Sequence, residues 1–162
     1  MIQILIAVIT MITPEEKKLF NEINTYRAKH GLPAIELCDS LSYVASMHSR
    51  DIYFHFNFYD KTCSMHSWSM SKFWTGGCIN SRDNASIMWN KPREIAGMDV
   101  DGFEIAHMHD PKDDQCSADC ALDNWQASPS HDNIILERGW RRWKRMGVSI
   151  YKGVATVWFA DH

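Results

Sequence analysis

Several things are missing from this chain of 162 residues, and each absence excludes something. No stretch is long and apolar enough to cross a bilayer as a helix; the most apolar run, Met1 to Ile12, falls well short of the required twenty or so residues. That run has the length of a signal core, yet it lacks a basic flank and a small-x-small cleavage site. There is no basic excess: the net charge of −3 gives no electrostatic pull toward nucleic acid. No C-x-x-C pair is present, so the cysteine spacing does not suit common zinc motifs. No G-x-S-x-G elbow marks a serine hydrolase. Internal repeats and low-complexity tracts are absent too.

What is present fits one domain of ordinary size over residues 13–162, preceded by the apolar segment 1–12, which reads as a signal remnant, a start-site error or a strand. Five cysteines, Cys38, Cys63, Cys78, Cys116 and Cys120, suggest two disulfides, Cys63–Cys78 and Cys116–Cys120, with Cys38 left over. Such bridges imply an oxidising compartment, and five reduced thiols in a cytosolic protein are the alternative. The basic cluster Arg138, Arg141, Arg142, Lys144 and Arg145 reads as a solvated face.

Thr13-Pro14-Glu15-Glu16 opens a helix: a hydroxyl N-cap, proline in the first turn and a capping-box glutamate. Leu19, Phe20, Ile23 and Tyr26 follow at helical spacing, and Gly31 stops it. A second helix from Asp39 carries Leu41, Val44, Ala45, His48 and Ile52, and reaches toward His55. Residues 57–90 are long and irregular, with a short helix near Ala85–Trp89; a loop of this length is usually functional or cross-linked. A strand follows at Gly102–His107, then a helix at Ala118–Ala127, closed by Ser128-Pro129. Met146, Val148 and Ile150 alternate, Lys152-Gly153 turns, and Val154–Ala160 returns. The order is that of an α+β fold with helices packed on a small antiparallel sheet.

Met65-His66-Ser67-Trp68 and Trp125–His131 each set a histidine in a turn beside hydroxyls and an aromatic, and two such segments can converge on one site. His107 and His109 share one side of a strand, as an H-x-H pair, and read as exposed strand-end residues. His48 and His55 read as packing or surface groups. Ser67, Ser69, Ser128 and Ser130 read as turn caps or imidazole orienters rather than nucleophiles. Trp68, Trp74, Trp89, Trp140 and Trp143 lie in irregular or polar segments; they either form an exposed binding patch or anchor loops, the second being favoured.

Five segments, in order, resemble the CAP superfamily (the SCP domain of cysteine-rich secretory proteins, antigen 5 and pathogenesis-related 1 proteins), in a bacterial-like form. Leu19–Pro33 is similar to the family's opening helix, Leu41–Asp51 to its second, Met65-His66-Ser67 to its histidine turn, Trp125–Leu136 to "W..SpgH..nIl", and Gly147–Phe159 to its closing hairpin. The resemblance implies a three-layer α-β-α sandwich. It also implies a central cavity with His66, His131 and a strand glutamate, Glu104, with Glu94 as its rival. Where many eukaryotic members carry a second glutamate, this chain has Ser128, so a three-residue site is implied. Two imidazoles and a carboxylate suit zinc or another divalent cation, with one position open to water. The reading that follows is a secreted or surface module whose cavity binds a lipid, glycan or protein partner, with no nucleic acid and no integral membrane span. The alternatives are a metal-dependent hydrolase using the same three residues, and a structural domain whose cavity is vestigial.

Overall fold

A computed structural model describes residues 12–109 and 117–162. The proposed nature of the 1–12 segment therefore lies almost wholly outside the described residues; Ile12 packs against the core. Helix α1 (Pro14–Lys29) starts at the expected cap: Thr13 accepts from the Glu16 amide, and Glu16 accepts from the Thr13 amide. The other Glu16 oxygen accepts from the Ile150 amide at 2.9 Å, so the cap also docks the helix on the sheet. Strand β1 (Glu36–Leu37) leads into α2 (Asp39–His55). After the long irregular segment come α3 (Ser86–Trp89), α4 (Lys91–Ala96) and β2 (Phe103–Met108). Helices α5 (Ala118–Ala127) and α6 (Pro129–Ile135) meet at Ser128, whose extended backbone separates them, as proline at the next position requires. The chain closes with β3 (Arg145–Tyr151) and β4 (Val154–Ala160).

The four strands stand in the order β1-β3-β4-β2. β2, β4 and β3 are antiparallel neighbours, whereas the two-residue β1 lies parallel to β3, so the sheet is mixed rather than wholly antiparallel. Lys152 and Gly153 both take positive φ, the geometry of the two-residue turn that matches strand twist. Strand β4 is buried along its whole length because helices cover both faces.

Those faces define three layers. On one side Leu19 and Ile23 of α1 and Ala121 and Trp125 of α5 pack on Ile105, Met146, Val148, Val157 and Phe159. On the other, Leu41, Val44 and Ala45 of α2 pack with Trp68, Trp158 and Ala160. Gly147 lets α2 approach closely: a Cβ there would fall 2.1 Å from the Leu41 backbone. Arg27, fully buried, clamps the α1 layer; it donates to the Pro33 and Ile135 carbonyls and pairs with Glu137 at 2.8 Å. The basic cluster is partly engaged: Arg138 pairs with Asp132, and Arg141 pairs with Asp161 and lies over the Phe103 and Trp140 rings.

The irregular segment is pinned, as its length demands. Cys63 and Cys78 form the expected disulfide, and Trp68 and Gly77 exchange backbone hydrogen bonds. Ser69 is held by Asp51 of α2. Trp68 and Trp143 are buried anchors, while Trp140 is exposed. Cys120 carries a free thiol and does not form the expected bridge; its sulfur lies against His109 instead, and Cys116 lies outside the described residues. Cys38 is free, as expected.

Candidate functional site

Strand β2 is an edge of the sheet, so side chains from both helical layers can reach it. Alternation sends Glu104, Ala106 and Met108 toward α2 and sends Phe103, Ile105 and His107 toward α1 and α5. Glu104 is fully buried at the side chain and is held by two histidines. One carboxylate oxygen meets His48 Nδ1 at 2.5 Å, and the other meets His66 Nδ1 at 2.9 Å. Burial alone would raise the Glu104 pKa. The charge and hydrogen bonds of His48, with those of His66, outweigh that, and the carboxyl lies below its ordinary value.

The sequence reading missed His48 as a member of this group. It sits on the buried stripe of α2, where an apolar neighbourhood gives no polar signal. Its Nε2 faces the Ser67 carbonyl at 3.0 Å, and its ring stacks on Trp68 with centroids 4.0 Å apart. Both nitrogens thus face acceptors.

His66 Nδ1 must donate, because an ionised carboxylate only accepts. The turn that carries it closes through the Ser67 amide and the Ser64 carbonyl, and the Ser67 hydroxyl accepts from the Ile79 amide. His131 lies in the first turn of α6. Its Nδ1 is buried with no hydrogen-bond partner. Burial, reinforced by the His66 charge and opposed by Glu104, holds its pKa below the ordinary imidazole value. His66, Glu104 and His131 therefore share one electrostatic neighbourhood. Glu94, the rival, is bound elsewhere, to Lys91 and the Thr75 amide.

Beside this group, rather than over it, opens a cleft of about 460 Å³. Ile52, Phe56, Trp68 and Met70 line it together with Asp51 and Asp60. The serines beside the histidines are engaged in structural bonds: Ser69 with Asp51, and Ser128 with Ser130. His55 is exposed on the last turn of α2.

On the opposite face of β2, His107 and His109 are half-buried rather than exposed as expected, and Cys120 joins them. Burial first, then His109 and His131, lower the His107 pKa to about 4. Among the described residues, His107, His109 and Cys120 are the one group of three whose ligand atoms all lie within 4.8 Å of one another; His66, Glu104 and His131 do not form such a group.

The fold is an α-β-α sandwich with a buried glutamate on an edge strand held by two histidines. The model of the cysteine-rich secretory protein family, CAP, matches residues 20–159, and the chain belongs to that family. Similar solved structures include an extracellular protein containing an SCP domain from Bacillus anthracis str. Ames, at 17% identity and a TM-score of 0.63. This chain is covered to 94% in that comparison and spans 45% of the Bacillus protein. An outer surface protein of Borrelia burgdorferi is similar at 17% identity and a TM-score of 0.62, with 94% of this chain and 96% of that one covered. A cysteine-rich secretory protein of Staphylococcus aureus subsp. aureus Mu50 is similar at 11% identity and a TM-score of 0.59, with 91% of this chain and 38% of that one covered. No curated protein matches the sequence significantly. No helix among the described residues is long and apolar enough to cross a membrane.

Proposed function

We propose that this CAP domain is a secreted or surface binding module whose His66–His131 cavity takes a divalent cation and whose adjoining cleft takes a lipid, glycan or protein group. The observation that carries this reading is the buried, unpartnered Nδ1 of His131 in the same electrostatic neighbourhood as a His66 oriented by Glu104. A buried imidazole nitrogen without a partner costs stability unless something binds it. A carboxylate behind a histidine fixes its tautomer and raises its basicity, the usual support for a metal-binding imidazole. In this reading His66 and His131 hold the cation, and Glu104 orients His66 rather than binding the ion. When bound, such a cation supplies a Lewis acid that lowers the pKa of a coordinated water.

The binding reading is favoured over hydrolysis because the Glu104 side chain is fully buried and each of its oxygens already meets a histidine, a setting that suits a structural anchor better than a general base for water. Secretion is supported by the Cys63–Cys78 disulfide. The test measures bound metal, and peptidase and esterase turnover, in the wild type and in His66→Ala/His131→Ala. The expected result is more bound cation in the wild type than in the double variant, by the one ion held in this cavity, with no turnover in either. Turnover that disappears in the double variant makes the protein a hydrolase. A wild type that binds no more cation than the double variant removes the metal from this cavity.

A further inference from the structure

We propose a second cation site, for zinc, formed by His107 Nε2, His109 Nε2 and Cys120 Sγ on the face of β2 that looks toward α5. It is separate from the His66–His131 cavity. Three observations carry it. The first is distance: Cys120 Sγ lies 2.8 Å from His109 Nε2 and 3.8 Å from His107 Nε2. Tetrahedral zinc, with Zn–N about 2.0–2.1 Å and Zn–S about 2.3 Å, places nitrogen and sulfur ligands about 3.6 Å apart. That value falls between the two separations, so small side-chain rotations admit the ion.

The second observation is donor chemistry. Two imidazoles and one thiolate are the borderline-soft set that suits zinc, with a fourth position left for water. The third is that the donors stand on or directly beside regular elements. His107 lies near the end of β2, His109 is the residue immediately after the strand, and Cys120 lies in the first turn of α5. The Trp125 indole donates to the Ala106 carbonyl at 3.2 Å, and Ile105 packs with Ala121 and Trp125. The strand and helix that hold the ligands are thus locked together before any ion arrives, which lowers the ordering cost of binding. Binding displaces one proton from the Cys120 thiol and takes up lone pairs of two neutral imidazoles.

Cobalt titration of the full chain tests this, because a thiolate ligand gives a sulfur-to-cobalt charge-transfer band that an all-histidine site cannot give. The expected result is one equivalent of cobalt showing that band, displaced by zinc, lost in Cys120→Ser and in the solvent-accessible variant His109→Ala, and retained in His131→Ala. Circular dichroism of each variant establishes that it is folded. Zinc should also protect Cys120 from alkylation, read by peptide mass mapping. Absence of the band in the wild type, its persistence in Cys120→Ser, or a Cys120 found disulfide-bonded in the isolated protein overturns the site. The His66–His131 reading stands or falls independently, on cobalt that binds without the band.

Discussion

Glu104 and His107 stand three residues apart on one strand, and their surroundings differ in kind. Around Glu104 each polar atom is met: two histidines reach the two carboxylate oxygens, and a backbone carbonyl meets the far side of His48. Around His107 the neighbours are another imidazole and a thiol, with no carboxylate among the three. The carboxylate of the first arrangement is satisfied by protein groups alone and stabilises the fold, whatever His66 and His131 bind on their other sides. The second gathers lone pairs that compete for the same space, which a cation resolves. Histidine count alone therefore does not mark a metal site. What the other nitrogen of each ring is bonded to separates a structural network from a ligand set.

The largest expected effect comes from breaking the complete side. Glu104→Ala strands the buried His48, and with it the half-buried His66, and should cost about 3–5 kcal/mol of unfolding free energy. Glu104→Gln should cost less, since the amide retains one acceptor. Urea denaturation reads both, and a loss below about 1 kcal/mol for Glu104→Ala would dissolve the contrast between the two faces.

Acid should act next. The folded Glu104 pKa is depressed, so its contribution is fully present above the unfolded carboxylate range and is lost as pH falls through the lower folded value. His131 and His107 also have depressed pKa values, His107 near 4. An imidazole that protonates more readily unfolded than folded weakens the fold as pH drops below about 6.5. In chelator-treated protein the urea midpoint should therefore fall in two stages. The upper stage should shrink in His131→Ala, and the lower should shrink in Glu104→Gln. A midpoint that is flat between pH 7 and 5 contradicts the assignment of neutral imidazoles.

Smaller effects belong to the incomplete side. Cys120→Ser in the metal-free protein should change stability by less than about 1 kcal/mol, because the half-buried thiol anchors no ionised network. His55→Ala, at an exposed position, should fall within about 0.5 kcal/mol of the wild type. A loss at Cys120 comparable to that at Glu104 would mean that the two faces are equally structural.

Much of the scaffold was legible in the sequence because local signals carried it. The Thr13–Glu16 cap, the proline after Ser128 and the Lys152-Gly153 turn each name their geometry. Period-two alternation marked β3, the turn after it led into the apolar β4, and the Cys63–Cys78 bridge followed from the long segment it closes. Glu104, chosen over Glu94 for the cavity, is hydrogen-bonded to His66, and Glu94 to Lys91. The rest depends on contacts distant in sequence. His48 and Glu104 are 56 residues apart, and nothing near His48 announces a buried carboxylate. Strand β1 has two residues, too few for any periodicity. Cys120 was paired in the sequence reading by proximity along the chain, whereas its half-buried thiol meets histidines brought by a different element.

The most direct test of the Glu104 network is the protonation state of its histidines, read by two-bond nitrogen–proton correlation on selectively labelled protein near neutral pH. His48 and His66 should each carry a proton at Nδ1, facing the Glu104 carboxylate, and His131 should be neutral. A bare Nδ1 on either His48 or His66 would contradict the network.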